Sequence, residues 1–362
     1  MNFHGGNIYD YNNIKYDFSA NINPAGVPQS FKKALTDNID MFARYPDIEY
    51  RDLIRNIKDY LVLDDYAYVM PGNGAVDLIY SIMESLDCKR LFTMAPTFSE
   101  YKKAAIISGI PYEEIFCYDN DFSKLNIDLF LNKVRDGSIV ILCNPNNPTG
   151  FLIDIPTLVY IATELNKKNC VLIIDEAFIE FTDDYPFSSF LTKLYDFQNA
   201  VLIRAATKFF GMPGIRLGYA VTYNRNIYEK VKKNQQPWCI NSSAVIAGSC
   251  IFKDIDYISR SRKWIKEERK FLYEELSKLK GVKVYPSKAN FHLLKITKED
   301  MNAYNLRDKL VKQGILIRTP DGFSYLADKH FRLAVLDRYA NAFLLSVLNK
   351  VLCSTYNTPR IL

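Results

Sequence analysis

Ile139-Val-Ile-Leu-Cys143-Asn144-Pro-Asn146-Asn147-Pro148-Thr149-Gly150 is an unbroken apolar run ended by a turn that two prolines and a glycine make sharp. A strand that is apolar on both sides has to be covered on both faces, as in a parallel sheet between helices. The run over 171–174, Val-Leu-Ile-Ile, repeats the pattern and ends on Asp175-Glu176. A helical period over 155–167 lies between the two. Strand, helix, strand in that order predicts an α/β fold with a mostly parallel sheet.

Upstream the same order recurs. An apolar stretch over 66–70 leads into Pro71-Gly72-Asn73-Gly74 and a helical period to 86. Another over 90–94 leads into Pro96-Thr97-Phe98 and a helix over 100–108. Further strands are predicted near 112–117, 200–203 and 217–221. Ser30 is placed to cap a short helix ending near 38, Pro46 disfavours a helical Tyr45, and a helical period resumes over 50–60. Downstream the character changes. A charged amphipathic helix is predicted over 254–280, ended by Gly281. Strands near 282–285, 291–296, 315–318 and 330–335 surround a helix over 303–313. The chain is therefore read as an arm (1–30) that belongs to the small domain and lines the active site, a large cofactor-binding domain (31–250), a small α+β domain (251–352) and a tail (353–362), with fraying expected over 354–362.

The 362 residues are enough for one large core plus a smaller domain, and 48% hydrophobic content fits a globular chain. The net charge of +5 comes from 46 basic and 41 acidic residues that are well mixed, so nothing points to nucleic acid. No apolar run reaches membrane-spanning length, and the N-terminus is polar, unlike a signal peptide. The seven cysteines show no metal-ligand or redox spacing, and the three histidines lie far apart, so no metal site is expected. Cys143 and Cys170 fall in apolar runs and read as buried thiols of a cytoplasmic protein.

The chemistry concentrates further along, in Arg204-Ala-Ala-Thr-Lys208-Phe-Phe-Gly211-Met-Pro-Gly214-Ile-Arg216-Leu-Gly218-Tyr219. An apolar strand delivers Lys208 to a glycine-rich turn. A lysine in an apolar cleft can lose its proton and form a Schiff base with an aldehyde. Asp175, at a strand end, is placed to keep a pyridine nitrogen protonated, and Arg216 to hold a phosphate. That combination points to pyridoxal 5'-phosphate. Asn147 is a candidate donor to the ring oxygen and Phe98 a candidate stacking face. Thr207 stands beside the lysine, and the amides of Gly74 and Ala75, opening a helix, suit the phosphate. For substrate anions the candidates are His4, Asn23, Arg318 and Arg332, a guanidinium being able to grip a carboxylate with two parallel bonds.

The ordered set Asn147-Pro-Thr-Gly150, Asp175-Glu-Ala177, Lys208 and Gly214-Ile-Arg216-Leu-Gly218-Tyr219 resembles the aspartate-aminotransferase superfamily, the fold-type I enzymes of pyridoxal phosphate. The resemblance runs from Asn21-Ile-Asn23-Pro24 to Phe331-Arg332-Leu-Ala-Val335. It implies a homodimer with shared active sites, in which Tyr45 reaches the cofactor phosphate of the other subunit. Two branches are similar: threonine-phosphate decarboxylase of the cobalamin pathway and histidinol-phosphate aminotransferase. His4-Gly5-Gly6, Asp17-Phe-Ser-Ala-Asn21-Ile-Asn23-Pro24, Gln236-Pro237-Trp238-Cys-Ile-Asn241 and Gly314-Ile-Leu-Ile-Arg318 favour the first. The expected activity is decarboxylation of O-phospho-L-threonine or O-phospho-L-serine. The alternative is transamination of histidinol phosphate with 2-oxoglutarate, and a remote third is a non-catalytic interaction protein on the same fold. Two departures stand out: Phe178 where many aminotransferases carry tyrosine, and Ala205 where a phosphate-binding hydroxyl is common.

Overall fold

A computed structural model describes residues 4–353. Its centre is a seven-stranded sheet in the spatial order Tyr68–Gly72, Gly218–Thr222, Ala200–Ala205, Val171–Asp175, Ile139–Cys143, Leu91–Ala95 and Tyr112–Phe116. All neighbours are parallel except Gly218–Thr222, which runs antiparallel to both strands beside it. Side chains alternate across each strand. Val140, Leu142, Leu172 and Ile174 enter one core with Leu158, Ile161 and Leu165 of the Ile155–Lys167 helix. Ile139, Ile141, Ile173 and Val201 enter a second core with Leu78, Ile79 and Ile82 of the Ala75–Ser85 helix. Coverage on both faces is why these strands are continuous hydrophobic runs.

The directions decide where the strands end. Val171–Asp175 is in register with Ile139–Cys143, so that Cys143 pairs with Asp175. Ala200–Ala205 runs parallel beside it, and Tyr68–Gly72 points the same way because both oppose Gly218–Thr222. Six turns therefore open on one edge: those after Gly72, Ala95, Phe116, Cys143, Asp175 and Ala205. The antiparallel strand begins there, just after Arg216.

The C-terminal part contains an antiparallel sheet of Val282–Val284, Phe291–Ile296 and His330–Ala334, reached through the 24-residue helix Ile255–Lys278. The N-terminal arm joins it. Tyr16–Asp17 pairs in parallel with Ile315–Leu316, the Phe18 amide donates to Leu316 O at 2.8 Å, and the Ala334 amide donates to Phe18 O at 2.8 Å. One apolar core runs through both parts, from Phe31 and Leu172 to Leu294 and Leu348. No helix among the described residues is long and apolar enough to cross a membrane.

Several local expectations need correction. The Gln29–Asp37 helix has Pro28 at its N-cap and no side-chain cap; the Ser30 hydroxyl instead donates to Asp254 Oδ2 at 2.6 Å. The long helix stops at Lys278, and Gly281, with φ +95°, serves the turn into the next strand. Lys208 sits in a one-turn helix, Ala206–Phe209, rather than in the glycine turn that follows it. The helices Arg225–Asn234, Ser242–Cys250 and Arg338–Cys353 were not foreseen. Ser242–Cys250 is small and apolar on most sides, which leaves little helical period to read. The fraying expected over 354–362 falls on positions outside the described residues.

Candidate active site

A cavity of about 260 Å³ opens at the edge where the strands end. Lys208, Asp175, Asn147, Arg216, Ala75, Phe98, Thr207, His4, Arg318 and Arg332 all line it, so residues scattered over most of the chain are gathered in one place. Asp175 is the one carboxylate among the described lining residues. It is buried; the Tyr101 hydroxyl donates to its Oδ2 at 2.7 Å and the Ala177 amide to its Oδ1 at 3.0 Å. Burial raises its pKa, while these two donors and the nearby Lys208 oppose the rise. Among the described residues it has no ion pair, so its ionised form calls for a cation that the chain does not provide.

Lys208 is the counterpart. Burial, reinforced by the charges of Arg332 and Arg216 and opposed by Asp175, pushes its amine down to about 8. Arg216 has φ +54° at the end of a short turn, and its guanidinium passes over Gly74. A side chain at Gly74 would put its Cβ 2.3 Å from Arg216 Nη2, and Gly74 itself has φ +84°, so glycine is required there twice over. The Arg216 guanidinium has only long contacts, 3.4 Å to Pro213 O and 3.5 Å to Asn73 O, and no ion pair among the described residues. Beside it begins the Ala75–Ser85 helix, whose first amides carry the positive end of the helix dipole.

The other wall is cationic. Arg318 and Arg332, far apart in the chain, are directly paired: the Arg332 amide donates to Arg318 O at 2.8 Å and the Arg318 amide to Arg332 O at 3.2 Å. Paired positions share a face of a ladder, so both guanidiniums enter the cavity. Arg332 donates to Asn147 Oδ1 and to Ser19 O, lies over the Phe291 ring and keeps a buried Nε without a partner. Burial and the neighbouring Arg318 charge push it down to about 9, and burial pushes Arg318 down to about 10. Both therefore remain charged at neutral pH; Arg318 donates to Thr319 O at 2.9 Å and Asp321 O at 2.6 Å, while Arg332 forms no ion pair among the described residues. With its amide oxygen engaged by Arg332, Asn147 presents Nδ2 as a donor.

Three sequence candidates sit differently. Asn23 does not line the cavity; its Nδ2 donates to Phe209 O at 2.8 Å and Ser261 Oγ at 2.7 Å, and its amide to Lys208 O at 3.1 Å. It braces the lysine turn, while Asn21 lines the cavity with its buried Oδ1 unpartnered. Tyr45 is 76% exposed, stacked on Trp238, and lies away from the cavity of its own chain. Gly74 contributes by its absence of side chain rather than as a wall. Tyr101 and Phe323 were missed. Tyr101 was legible only as part of Phe98-Ser-Glu-Tyr101, where nothing local says which side chain faces Asp175.

The family model of aminotransferase class I and II matches residues 13–347. The chain belongs to that family. The threonine-phosphate decarboxylase of Salmonella typhimurium is 33% identical over 356 residues, covering 96% of this chain and 96% of that protein. The histidinol-phosphate aminotransferase of Clostridium novyi is 31% identical over 319 residues, covering 86% and 85%. The crystal structure of the histidinol-phosphate aminotransferase from Clostridium acetobutylicum is 37% identical, with a TM-score of 0.87 over 92% of this chain and 98% of that one.

Pyridoxal phosphate, the cofactor implied by the resemblance, fits this site. A buried carboxylate without a cation, a depressed lysine and an unpaired guanidinium over a glycine at a helix N-terminus are the three partners its ring nitrogen, aldehyde and phosphate require. Asp175, Lys208 and Arg216 with the Ala75 amide would hold it, and Asn147 Nδ2 would meet the ring oxygen. When bound it supplies an electron sink for a bond at the substrate Cα. Ala205 lines the cavity without a hydroxyl, and Phe178 packs edge-on to Phe291 at 5.2 Å, supporting the aromatic under Arg332. Among the described residues no cluster of His, Cys, Asp or Glu is placed to hold a metal.

Tyr101 gives a first prediction. Tyr101→Phe removes one charge-assisted hydrogen bond to Asp175, typically about 2 kcal/mol. The expected result is a turnover about 10-fold lower, with the visible band of the bound cofactor displaced and its pH midpoint moved. An unchanged spectrum and rate would show that Asp175 does not depend on this hydroxyl.

Proposed function

We propose that this chain removes carbon dioxide from O-phospho-L-threonine, with O-phospho-L-serine as a related substrate, to give an amino-alcohol phosphate. The observation that carries the reading is the Arg318–Arg332 pair, two buried guanidiniums on one wall of a cavity in which Asp175, assigned to the cofactor nitrogen, is the one carboxylate among the described lining residues. An amino acid with a second, phosphate anion satisfies both. Full-length similarity to a threonine-phosphate decarboxylase and the phenylalanine at position 178 support it.

The roles follow from position. Arg332 takes the substrate carboxylate, while Arg318 and His4 take the phosphate. Lys208 would hold the cofactor through its amine and would carry the proton to or from the substrate Cα. With the cofactor bound, the anchoring of the carboxylate by Arg332 would choose between loss of carbon dioxide and loss of the Cα proton. Assembly is proposed to be a homodimer in the cytoplasm, with Tyr45 reaching the partner's cofactor phosphate. Its support is the exposure of Tyr45 together with Ile39, Phe42 and Ile48, an apolar surface unusual for an isolated chain. Histidinol-phosphate transamination is the second reading, favoured by the high similarity to the Clostridium acetobutylicum structure.

One experiment separates them. Holoenzyme is incubated with O-phospho-L-threonine, O-phospho-L-serine, or histidinol phosphate plus 2-oxoglutarate, while carbon dioxide and glutamate are measured. Carbon dioxide from a phosphoamino acid without glutamate is expected. Sustained glutamate formation from histidinol phosphate with no carbon dioxide would reject decarboxylation and leave the cofactor site standing.

A further inference from the structure

We infer that Glu100 is the positioning residue that aims His4 at a phosphate group of the substrate; this rests on the phosphorylated-substrate reading above. Glu100 opens the Glu100–Ile107 helix and is 6% exposed, at the rim of the cavity that His4 and Ser99 line. Its two oxygens are divided. Oε2 accepts from the Tyr80 hydroxyl at 2.8 Å and has the Lys103 ammonium 3.7 Å away, while Oε1 lies 2.9 Å from His4 Nε2. Tyr80 belongs to the Ala75–Ser85 helix, which also opens toward the proposed cofactor phosphate. The carboxylate is thus fixed by the large sheet's own helices, and it fixes the imidazole.

The arm carrying His4 is pinned from the other side. A Cβ at Gly5 would lie 2.1 Å from Ser19 O, so backbone packs on backbone there, and the Gly6 amide donates to Ser19 Oγ at 2.7 Å. Phe98, the candidate stacking face for the cofactor ring, has its ring centroid 6.1 Å from the imidazole. A carboxylate on one nitrogen sets the plane of an imidazole, as carboxylates do for the histidines of metal sites. Glu100 therefore acts through His4. As an anion it has no direct use for a phosphate, and its burial at the cavity rim is otherwise a cost.

The test is binding, which does not depend on which reaction the enzyme runs. Holoenzyme is titrated with O-phosphoethanolamine and, separately, with ethanolamine, each followed by the cofactor absorbance. Glu100→Gln is expected to weaken O-phosphoethanolamine about 10-fold, the scale of one charge-assisted hydrogen bond, and to leave ethanolamine unchanged. His4→Gln should do the same, and the double variant no more than either alone. For turnover of O-phospho-L-serine, KM should rise about 10-fold with kcat within about two-fold. Should the glutamine variant not fold, Glu100→Asp keeps the charge and draws it back from His4, and the same loss is expected. Equal affinity of wild type and a folded Glu100 variant for O-phosphoethanolamine overturns the inference, as does a parallel loss of ethanolamine. If no carbon dioxide is released but the phosphate discrimination still depends on Glu100, decarboxylation fails and this inference stands.

Discussion

Replacing Lys208 with alanine is expected to abolish turnover, a fall of about 10⁴-fold or more, because one group both links the cofactor and moves the proton at Cα. Arg216, Asp175 and Asn147 would remain, so non-covalent cofactor binding should persist and dialyse away more readily than in the parent. Borohydride reduction of the parent holoenzyme followed by peptide mapping should place the label on the peptide containing Lys208; a label on another lysine sinks the assignment. The low proton affinity of the amine adds a pH signature. Only the neutral amine attacks an aldehyde, and its pKa is about 8. The rate at which the apoprotein captures cofactor should therefore rise about 10-fold per pH unit up to that point and level off above it. A rate that is flat from pH 6 to pH 9 would contradict the depressed lysine.

Asp175→Ala is expected to cost about 10³-fold in turnover, the scale seen when a preorganised electrostatic partner is removed. The mechanism differs from that at Lys208. Covalent capture should survive, since the amine is intact, and borohydride should still label Lys208. What is lost is the ion that keeps the ring nitrogen protonated, and with it electron withdrawal from Cα. Asp175→Asn separates charge from shape: the amide fills the same space and accepts from Tyr101, whose hydroxyl lies 2.7 Å from the present carboxylate, yet cannot stabilise a protonated ring. Turnover of the asparagine variant close to that of the parent, with the alanine variant impaired, would reduce Asp175 to a packing role.

The two departures from the family pattern acquire physical meaning only together with their neighbours. Phe178 gives up a phenol but gains an edge-on contact with Phe291, the ring beneath Arg332. Stiffening the clamp that orients a carboxylate is useful where the direction of that carboxylate decides the reaction. Ala205 is the last residue of a buried strand and has no such compensation in view.

Much of the architecture was legible because it depends on local patterns. Continuous apolar runs at 139–143 and 171–175 reported strands covered on both faces, and the intervening helix was bounded by Asp154, whose carboxylate accepts from the Thr157 amide at 2.9 Å. Lys208, Asp175, Asn147 and Arg216 were legible for a related reason: each sits at the end of a strand or just beyond it, where a turn signal marks the edge at which ligands gather. Asn23 was misjudged because the arm turns at Ala20–Ile22, where the Ile22 amide donates to Ala20 O at 3.1 Å, so that Asn21 rather than Asn23 lines the cavity. The Arg318–Arg332 pairing, the donation from Tyr101 to Asp175 and the grip of Glu100 on His4 were invisible. Each joins positions that are distant in sequence or whose facing no local period sets; the last spans 96 residues. By itself the sequence determined the fold class, the cofactor chemistry and four residues that the structure gathers in one cavity, since periodicity and turn chemistry are local. Only the tertiary structure decided that Arg318 and Arg332 share the opposite wall and that Tyr101 meets Asp175 and Glu100 meets His4, because strand register and chain crossing bring those pairs together.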